Sequence, residues 1–172
     1  MKTINELTEK IGINHLNEMQ GAVVKAIQHT NDNIMVLSPT GSGKTLAYIL
    51  PLVCMVDSAS DDLQAIVIVP GRELALQSLN VLRSLGNDVR GYACYGGRPT
   101  MDEHRQLRQL KPHIIFATPG RMNDHIDKDN VDVDSVKWII IDEFDKCLEM
   151  GFHEEMSYLI NRLPFKARQI LL

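Results

Sequence analysis

A chain of 172 residues, 44% hydrophobic and 23% charged, is sized and composed for one globular domain that buries roughly 70% of its unfolded surface. That composition excludes a wholly disordered polymer. With 18 Lys+Arg against 22 Asp+Glu, the net charge of −4 excludes a nucleic-acid binder that works by bulk positive charge, while leaving room for a local basic face.

Cys54, Cys94 and Cys147 are odd in number and far apart, which fits free, buried thiols in a reducing cytoplasm rather than a disulfide framework or a zinc site. The six histidines are scattered, without the i, i+4 spacing of metal ligands. Met1 to Ile13 alternates charged with apolar residues and lacks the apolar core of a signal peptide. The longest uncharged run, Leu46 to Val56, contains Pro51 and falls short of the ~20 residues of a membrane span.

In chain order, Asn31-Asp32-Asn33 predicts a turn, followed by a strand over Ile34–Leu37 and an apolar helix over Leu46–Leu50. Ser58 to Asp62 reads as a polar loop before a strand over Ala65–Val69. Leu74, Leu79, Leu82 and Leu85 share one helix face. A strand over Tyr92–Tyr95, a helix over Met101–Leu110 and a strand over Ile114–Ala117 follow. Asp127 to Ser135 holds four aspartates and reads as a solvated connection. Trp138–Ile141 and Gln169–Leu172 read as strands around a helix carrying Leu159, Ile160 and Leu163. The strand runs are continuous rather than alternating, so burial on both faces is expected. This order predicts an α/β fold with a mostly parallel central sheet and helices on both faces. Chemistry is expected beyond the carboxyl ends of the strands.

Ser38-Pro39-Thr40-Gly41-Ser42-Gly43-Lys44-Thr45 lies between the first strand and its helix, the setting a phosphate-binding P-loop requires. Glycines let backbone N–H groups turn toward a phosphate, and the helix N-terminus adds a favourable dipole. Lys44 can reach the β and γ phosphates, and the Thr45 hydroxyl can hold Mg²⁺. Ser38 stands where the general pattern has Gly or Ala, and it is small enough for the turn. A second element is needed for the metal. The apolar strand ending in Asp142-Glu143 supplies it, placing Asp142 near Mg²⁺ and leaving Glu143 to orient or deprotonate an attacking water.

With these motifs in place the chain resembles the DEAD-box RNA helicases over nearly its whole length. Pro70-Gly71-Arg72-Glu73-Leu74-Ala75 is similar to their Pro-Thr-Arg-Glu-Leu-Ala element, and Gly96-Gly97 to their paired glycine. Thr118-Pro119-Gly120-Arg121 matches their Thr-Pro-Gly-Arg, and Asp142-Glu143-Phe144-Asp145 stands at their Asp-Glu-Ala-Asp. Met150-Gly151-Phe152 and Arg168-Gln169 also follow the family's habit. Phe144 replaces Ala, so packing beside the metal strand is expected to differ. Gly71 replaces Thr, and Ile13 and Leu16-Asn17 replace the aromatic and Pro-Thr of the adenine element.

The resemblance implies a single RecA-like P-loop NTPase domain over 1–172, with 1–33 as a helical adenine-recognition segment and ATP and Mg²⁺ as cofactors. Lys44, Asp142 and Glu143 would be catalytic. Pro39 to Thr45 would cradle the nucleotide, Gln20 would read the adenine edge, and Thr45 and Asp142 would hold the metal. Arg72, Gly97, Thr118 and Arg121 would contact RNA phosphates and sugars, and Asp145 would couple this domain to the next. The implied function is ATP hydrolysis coupled to RNA strand separation. It needs a second RecA-like domain for which this length leaves no room, so the isolated domain is expected to be nearly inactive, monomeric, cytoplasmic and unassociated with membranes. Three alternatives stay open: a DNA-directed helicase or translocase domain, a non-catalytic RNA-binding module and a P-loop transferase. From Arg72 to Arg121 there are eight basic and four acidic residues, a net of +4, while the remainder carries −8. The implied RNA elements therefore share a basic middle.

Overall fold

The computed structural model describes residues 2–172. Among them, six strands form one all-parallel sheet: β1 (Ile34–Met35), β2 (Ala65–Ile68), β3 (Gly91–Cys94), β4 (Ile114–Ala117), β5 (Trp138–Ile141) and β6 (Arg168–Leu171). Their order across the sheet is β1-β6-β5-β2-β4-β3. Eight helices connect them: α1 (Ile4–Lys10), α2 (Glu18–His29), α3 (Lys44–Met55), α4 (Arg72–Ser84), α5 (Thr100–Leu110), α6 (Pro119–Asp127), α7 (Phe144–Glu149) and α8 (His153–Ile160).

The central strands β2, β4 and β5 are buried at every position, as their unbroken apolar runs require. Successive residues feed opposite faces. Ala65, Val67, Ile114, Phe116, Trp138 and Ile140 pack with the apolar sides of α1 to α4. Ile66, Ile68, Ile115, Ala117, Ile139 and Ile141 pack with Leu107, Met122, Ile126, Cys147, Met156 and Leu159, from α5 to α8. The α/β sheet with helices on both faces is therefore as expected, and wholly rather than mostly parallel.

The edges depart from the sequence reading. β1 is two residues long, and Met35 and Leu37 are 62% and 89% exposed, so the first strand is not buried on both faces. It lies at the sheet edge and pairs only with β6 among the described strands. Val36 N–H still bonds Leu171 O at 2.8 Å, so pairing outlasts the regular strand. β3 and β6 each begin one residue earlier than their apolar runs, and β2 ends at Ile68. α3 is longer than Leu46–Leu50 and runs through Pro51. Proline removes one helix bond there, and the burial of every residue from Ala47 to Cys54 holds the helix together. Leu163 lies beyond the end of α8, although it is buried in the same core.

Two links fix the N-terminal helices. Asn17 caps α2 in a reciprocal box with Gln20: the Gln20 N–H donates to Asn17 Oδ1 at 2.8 Å, and the Asn17 N–H to Gln20 Oε1 at 3.0 Å. At the other end of α2, the buried Arg168 of β6 donates to the carbonyls of Ile27 (2.7 Å), Ala26 (3.1 Å) and Asp32 (2.5 Å) and to Thr30 Oγ1 (2.8 Å). The guanidinium satisfies carbonyls that a helix C-terminus leaves open. Cys54, Cys94 and Cys147 are free and buried, as expected. Among the described residues no helix is long and apolar enough to cross a membrane.

Candidate functional site

Because all six strands run the same way, the segments leaving their carboxyl ends share one rim of the sheet. The Ser38–Thr45 loop leaves β1, Pro70–Arg72 leaves β2, Gly96–Gly97 leaves β3, Thr118–Arg121 leaves β4 and Asp142–Glu143 leaves β5. The motif residues from Ser38 to Glu143 therefore emerge at the rim where chemistry was expected, whereas Arg168 opens β6 at the opposite end of the sheet.

The loop before α3 closes on itself. Ser42 N–H bonds Pro39 O at 3.3 Å, and the hydroxyls of Ser38 and Ser42 lie 3.0 Å apart. Lys44 Nζ donates to Ser38 O at 3.0 Å, so its ammonium bends back over the loop. Gly43 caps α3 with φ 86°, and a Cβ there would collide with Gln20 Nε2. The left-handed backbone favours glycine, and any side chain there would push the Gln20 amide out of place. Gln20 Nε2 donates to Gly43 O at 3.3 Å, and Asn17 Nδ2 donates to Ser42 O at 3.0 Å. The helical segment before β1 thus grips the loop directly. With one amide hydrogen on Gly43 and one lone pair occupied by Asn17, Gln20 keeps one donor and one acceptor free.

Asp142 directly follows β5 and is 2% exposed. Its Oδ2 accepts from Tyr48 OH at 3.0 Å and from Thr45 Oγ1 at 3.3 Å, and its Oδ1 accepts the Glu143 N–H at 2.9 Å. Burial holds the Asp142 carboxyl above the ordinary range, against the Tyr48 and Glu143 hydrogen bonds that favour ionisation. Burial likewise drives the Tyr48 hydroxyl well above its ordinary value, with Asp142 adding to the rise, so it stays a donor. Thr45 and Asp142 offer hard oxygen donors of the kind Mg²⁺ takes, and the contact joins residues 97 apart in sequence. Glu143 has φ 51°, and its carboxylate pairs with Lys146 Nζ at 2.9 Å. Phe144 packs against the α5–α8 core and lines a groove together with Met35, Leu37, Leu171 and Leu172. Asp145 is exposed at the start of α7 beside that groove.

The implied RNA residues are brought to one side of the rim, in different states. Arg72 is exposed at the start of α4, and Gly97 is exposed in the loop after β3. Thr118 caps α6 and is half-buried. Arg121 is largely engaged within the protein: it donates to Thr100 Oγ1 at 2.7 Å and to Arg98 O at 2.8 Å, and its Nε lies 3.7 Å from Glu103 Oε2.

Glu103 is the residue sequence reasoning missed. At 1% exposure it accepts Tyr95 N–H on Oε1 (3.2 Å) and His125 Nε2 on Oε2 (2.7 Å), beside Arg121. Asn130 Nδ2 donates to His125 Nδ1 at 3.0 Å, and Asn130 Oδ1 accepts from His104 Nδ1. Cys94, Glu103 and His125 also cluster as metal-ligand types, but both Glu103 oxygens are already committed to protein donors. The available signal was an acid on an apolar stripe: Glu103 and Leu107 are the buried residues of α5, four apart.

A family model for the DEAD/DEAH box helicase matches residues 17–172. The chain is 44% identical over 137 residues to the ATP-dependent RNA helicase CshA of Limosilactobacillus reuteri, covering 77% of this chain and 27% of that protein. It is 35% identical over 175 residues to the DEAD-box ATP-dependent RNA helicase CshA of Bacillus subtilis, covering 99% and 34%. The chain thus spans about a third of the length of these relatives. Among solved structures, a DEAD box protein from Methanococcus jannaschii superposes with a TM-score of 0.91 at 29% identity, over 99% of this chain and 47% of that one. A hypothetical ATP-dependent RNA helicase from Sulfolobus tokodaii gives 0.85 at 29%, over 98% and 49%.

Proposed function

This chain belongs to the DEAD/DEAH box helicase family and has its RecA-like α/β fold, and from that premise we propose that it is the ATP- and RNA-binding domain of an ATP-dependent RNA helicase. One observation carries the ATP half of this reading: Thr45 at the start of α3 and Asp142 at the end of β5 meet at 3.3 Å on a loop built for phosphate. In this reading the domain occupies 1–172 and works against a second RecA-like domain, as a cytoplasmic monomer free of membranes.

Lys44 leaves Ser38 O and donates to the β and γ phosphates. Residues Pro39 to Thr45 open their mutual contacts to the phosphate oxygens. Thr45 and Asp142 would hold Mg²⁺, which neutralises phosphate charge when bound. Tyr48 keeps Asp142 aimed from behind. Glu143 exchanges its Lys146 partner for the attacking water, which it orients and deprotonates. Gln20 spends its spare donor and acceptor on the adenine edge, and its bond to Gly43 links base recognition to the phosphate loop. Arg72, Gly97, Thr118 and Arg121 present cations and small groups to an RNA backbone, with Arg121 also bracing the loop that carries Gly97. Asp145 would couple the acidic element to the neighbouring domain. Hydrolysis with phosphate release would reopen the cleft between domains and free the RNA strand.

Calorimetry with ATP and Mg²⁺ tests the nucleotide site. Lys44→Ala should abolish binding, and Glu143→Gln should bind yet block turnover in the full-length protein. Unimpaired hydrolysis by the Glu143→Gln enzyme would remove that residue from its role. Stimulation of the full-length ATPase by RNA but not DNA separates this reading from a DNA-directed one. Phosphorylated product in place of free phosphate would mark a transferase.

A further inference from the structure

Ser78 puts a hydroxyl on the buried face of α4. It is 0% exposed and sits among Ala75, Leu79 and Leu82, where an apolar residue would serve packing as well. A hydroxyl in such a place costs free energy unless it is hydrogen-bonded. Thr8 and Ser84 meet that need locally, each donating to a carbonyl of its own helix, at 3.0 and 2.8 Å. Ser78 reaches across to α3 instead. Its Oγ lies 3.5 Å from the hydroxyl of Tyr48, which is also 0% exposed. That distance is at the long end of hydrogen bonding, so the effect expected of it is modest.

A phenol carries one hydrogen. Tyr48 gives it to Asp142 Oδ2, the closer and charged acceptor at 3.0 Å. The Ser78 hydroxyl, free to rotate, then donates to the Tyr48 oxygen. The result is a directed chain, Ser78 to Tyr48 to Asp142, running from α4 through α3 to the segment after β5. Asp142 Oδ2 has one other side-chain donor, Thr45 at 3.3 Å. Thr45 would itself bind the metal, so Tyr48 is the donor that stays to fix the carboxylate. We propose that Ser78 is a positioning residue for the metal carboxylate, acting through Tyr48. The helix that opens with Arg72 is thereby joined by polar contacts to Asp142. The proposal rests on the ATP reading above and extends it to a residue outside the recognised elements.

The test is calorimetry of ATP binding to this chain, once with Mg²⁺ and once in EDTA, the ratio of the two affinities being the gain from the metal. Ser78→Ala should cut that gain about two- to threefold, as a modest hydrogen bond would. Tyr48→Phe should cut it further. Adding Ser78→Ala to Tyr48→Phe should change the gain no more, because Ser78 acts through the phenol. Ser78→Thr should keep more of the gain than Ser78→Val, which has the same shape without the hydroxyl. Urea denaturation of the nucleotide-free chain reads the same contact in the absence of metal: the stability losses of the two single variants should fall short of adding in the double variant. If Ser78→Ala keeps the parent gain while Tyr48→Phe lowers it, or if the two losses add in urea, the relay is overturned and the ATP reading stands. If the parent chain binds no ATP, or binds it equally with Mg²⁺ and in EDTA, the ATP reading fails along with the relay.

Discussion

Asp142 and Glu103 are both buried carboxylates, 2% and 1% exposed, each beyond the carboxyl ends of the central strands or packed beneath them. They are furnished in opposite ways. Asp142 receives neutral donors only: two hydroxyls and one backbone amide. No cation pairs with it directly, the charge of Lys44 offsets only the smallest part, and burial lifts its titration above the ordinary range. Glu103 accepts hydrogen bonds from His125 and the Tyr95 amide and faces the fixed cation of Arg121 at 3.7 Å. The contrast separates two uses of one functional group. A carboxylate held without a cation is prepared for an incoming one, while a carboxylate saturated by protein donors ties elements together. The phosphate corner keeps its charge in reserve, and the basic rim has already used its own.

Glu103→Ala is the most severe way to probe that contrast. It leaves Arg121 and His125 buried without their partner, and urea denaturation should show a loss of about 3–5 kcal/mol. A loss below about 1 kcal/mol would mean that Glu103 is not saturated in the way described. Asp142→Asn should do the reverse in character. A carboxylate whose folded pKa is raised binds its proton more tightly in the folded state, so its ionisation weakens folding as pH rises from the unfolded value of about 3.9 through the folded one. Parent stability should therefore fall relative to Asp142→Asn across that window and stay lower above it. The same variant should bind ATP no better with Mg²⁺ than the parent does in EDTA, a comparison calorimetry can make directly. Equal pH profiles for the two proteins would contradict an Asp142 held without a paired cation.

Smaller effects sharpen the picture. Tyr48→Phe removes one hydroxyl from Asp142 and should lower stability by about 1–2 kcal/mol, with a weaker response of nucleotide affinity to Mg²⁺. His113 offers a control remote from both carboxylates. Its Nδ1 accepts the Arg90 N–H at 3.0 Å, and its Nε2 faces the Ser60 carbonyl at 2.8 Å, so the neutral ring protonated on Nε2 fits. Burial pushes its pKa below the ordinary value. The unfolded chain then binds the proton more readily, and stability should decline as pH falls from about 6.5 toward the folded pKa. His113→Gln should flatten that part of the profile without changing nucleotide binding.

Legibility followed burial and chain continuity. β2, β4 and β5 were readable because both of their faces are covered and the apolar run is unbroken. β1 was overextended because an edge strand with Met35 and Leu37 exposed carries the same residue types as a central one. The phosphate loop and the Asp142-Glu143 pair were legible as contiguous motifs. Glu103, His125 and Asn130 were not, since each is a single polar residue in an unremarkable helix or turn, and only folding gathers them. Tyr48 was hidden within an apolar helix, where its hydroxyl could not be distinguished from core packing until Asp142 was placed beside it.

The pairing of β1 with β6 has a consequence for how this chain is made. The strand that launches the phosphate loop lies near the start of the sequence, and its only sheet partner among the described strands spans Arg168–Leu171. Arg168 also holds the end of α2, across more than 130 residues. On a ribosome adding about 5–20 residues per second, the first strand and its loop wait seconds, unpaired, for the last strand to emerge. The loop of the proposed nucleotide site is thus synthesised well before the strand that locks β1 into the sheet. Any truncation before Arg168 would leave it without its sheet neighbour.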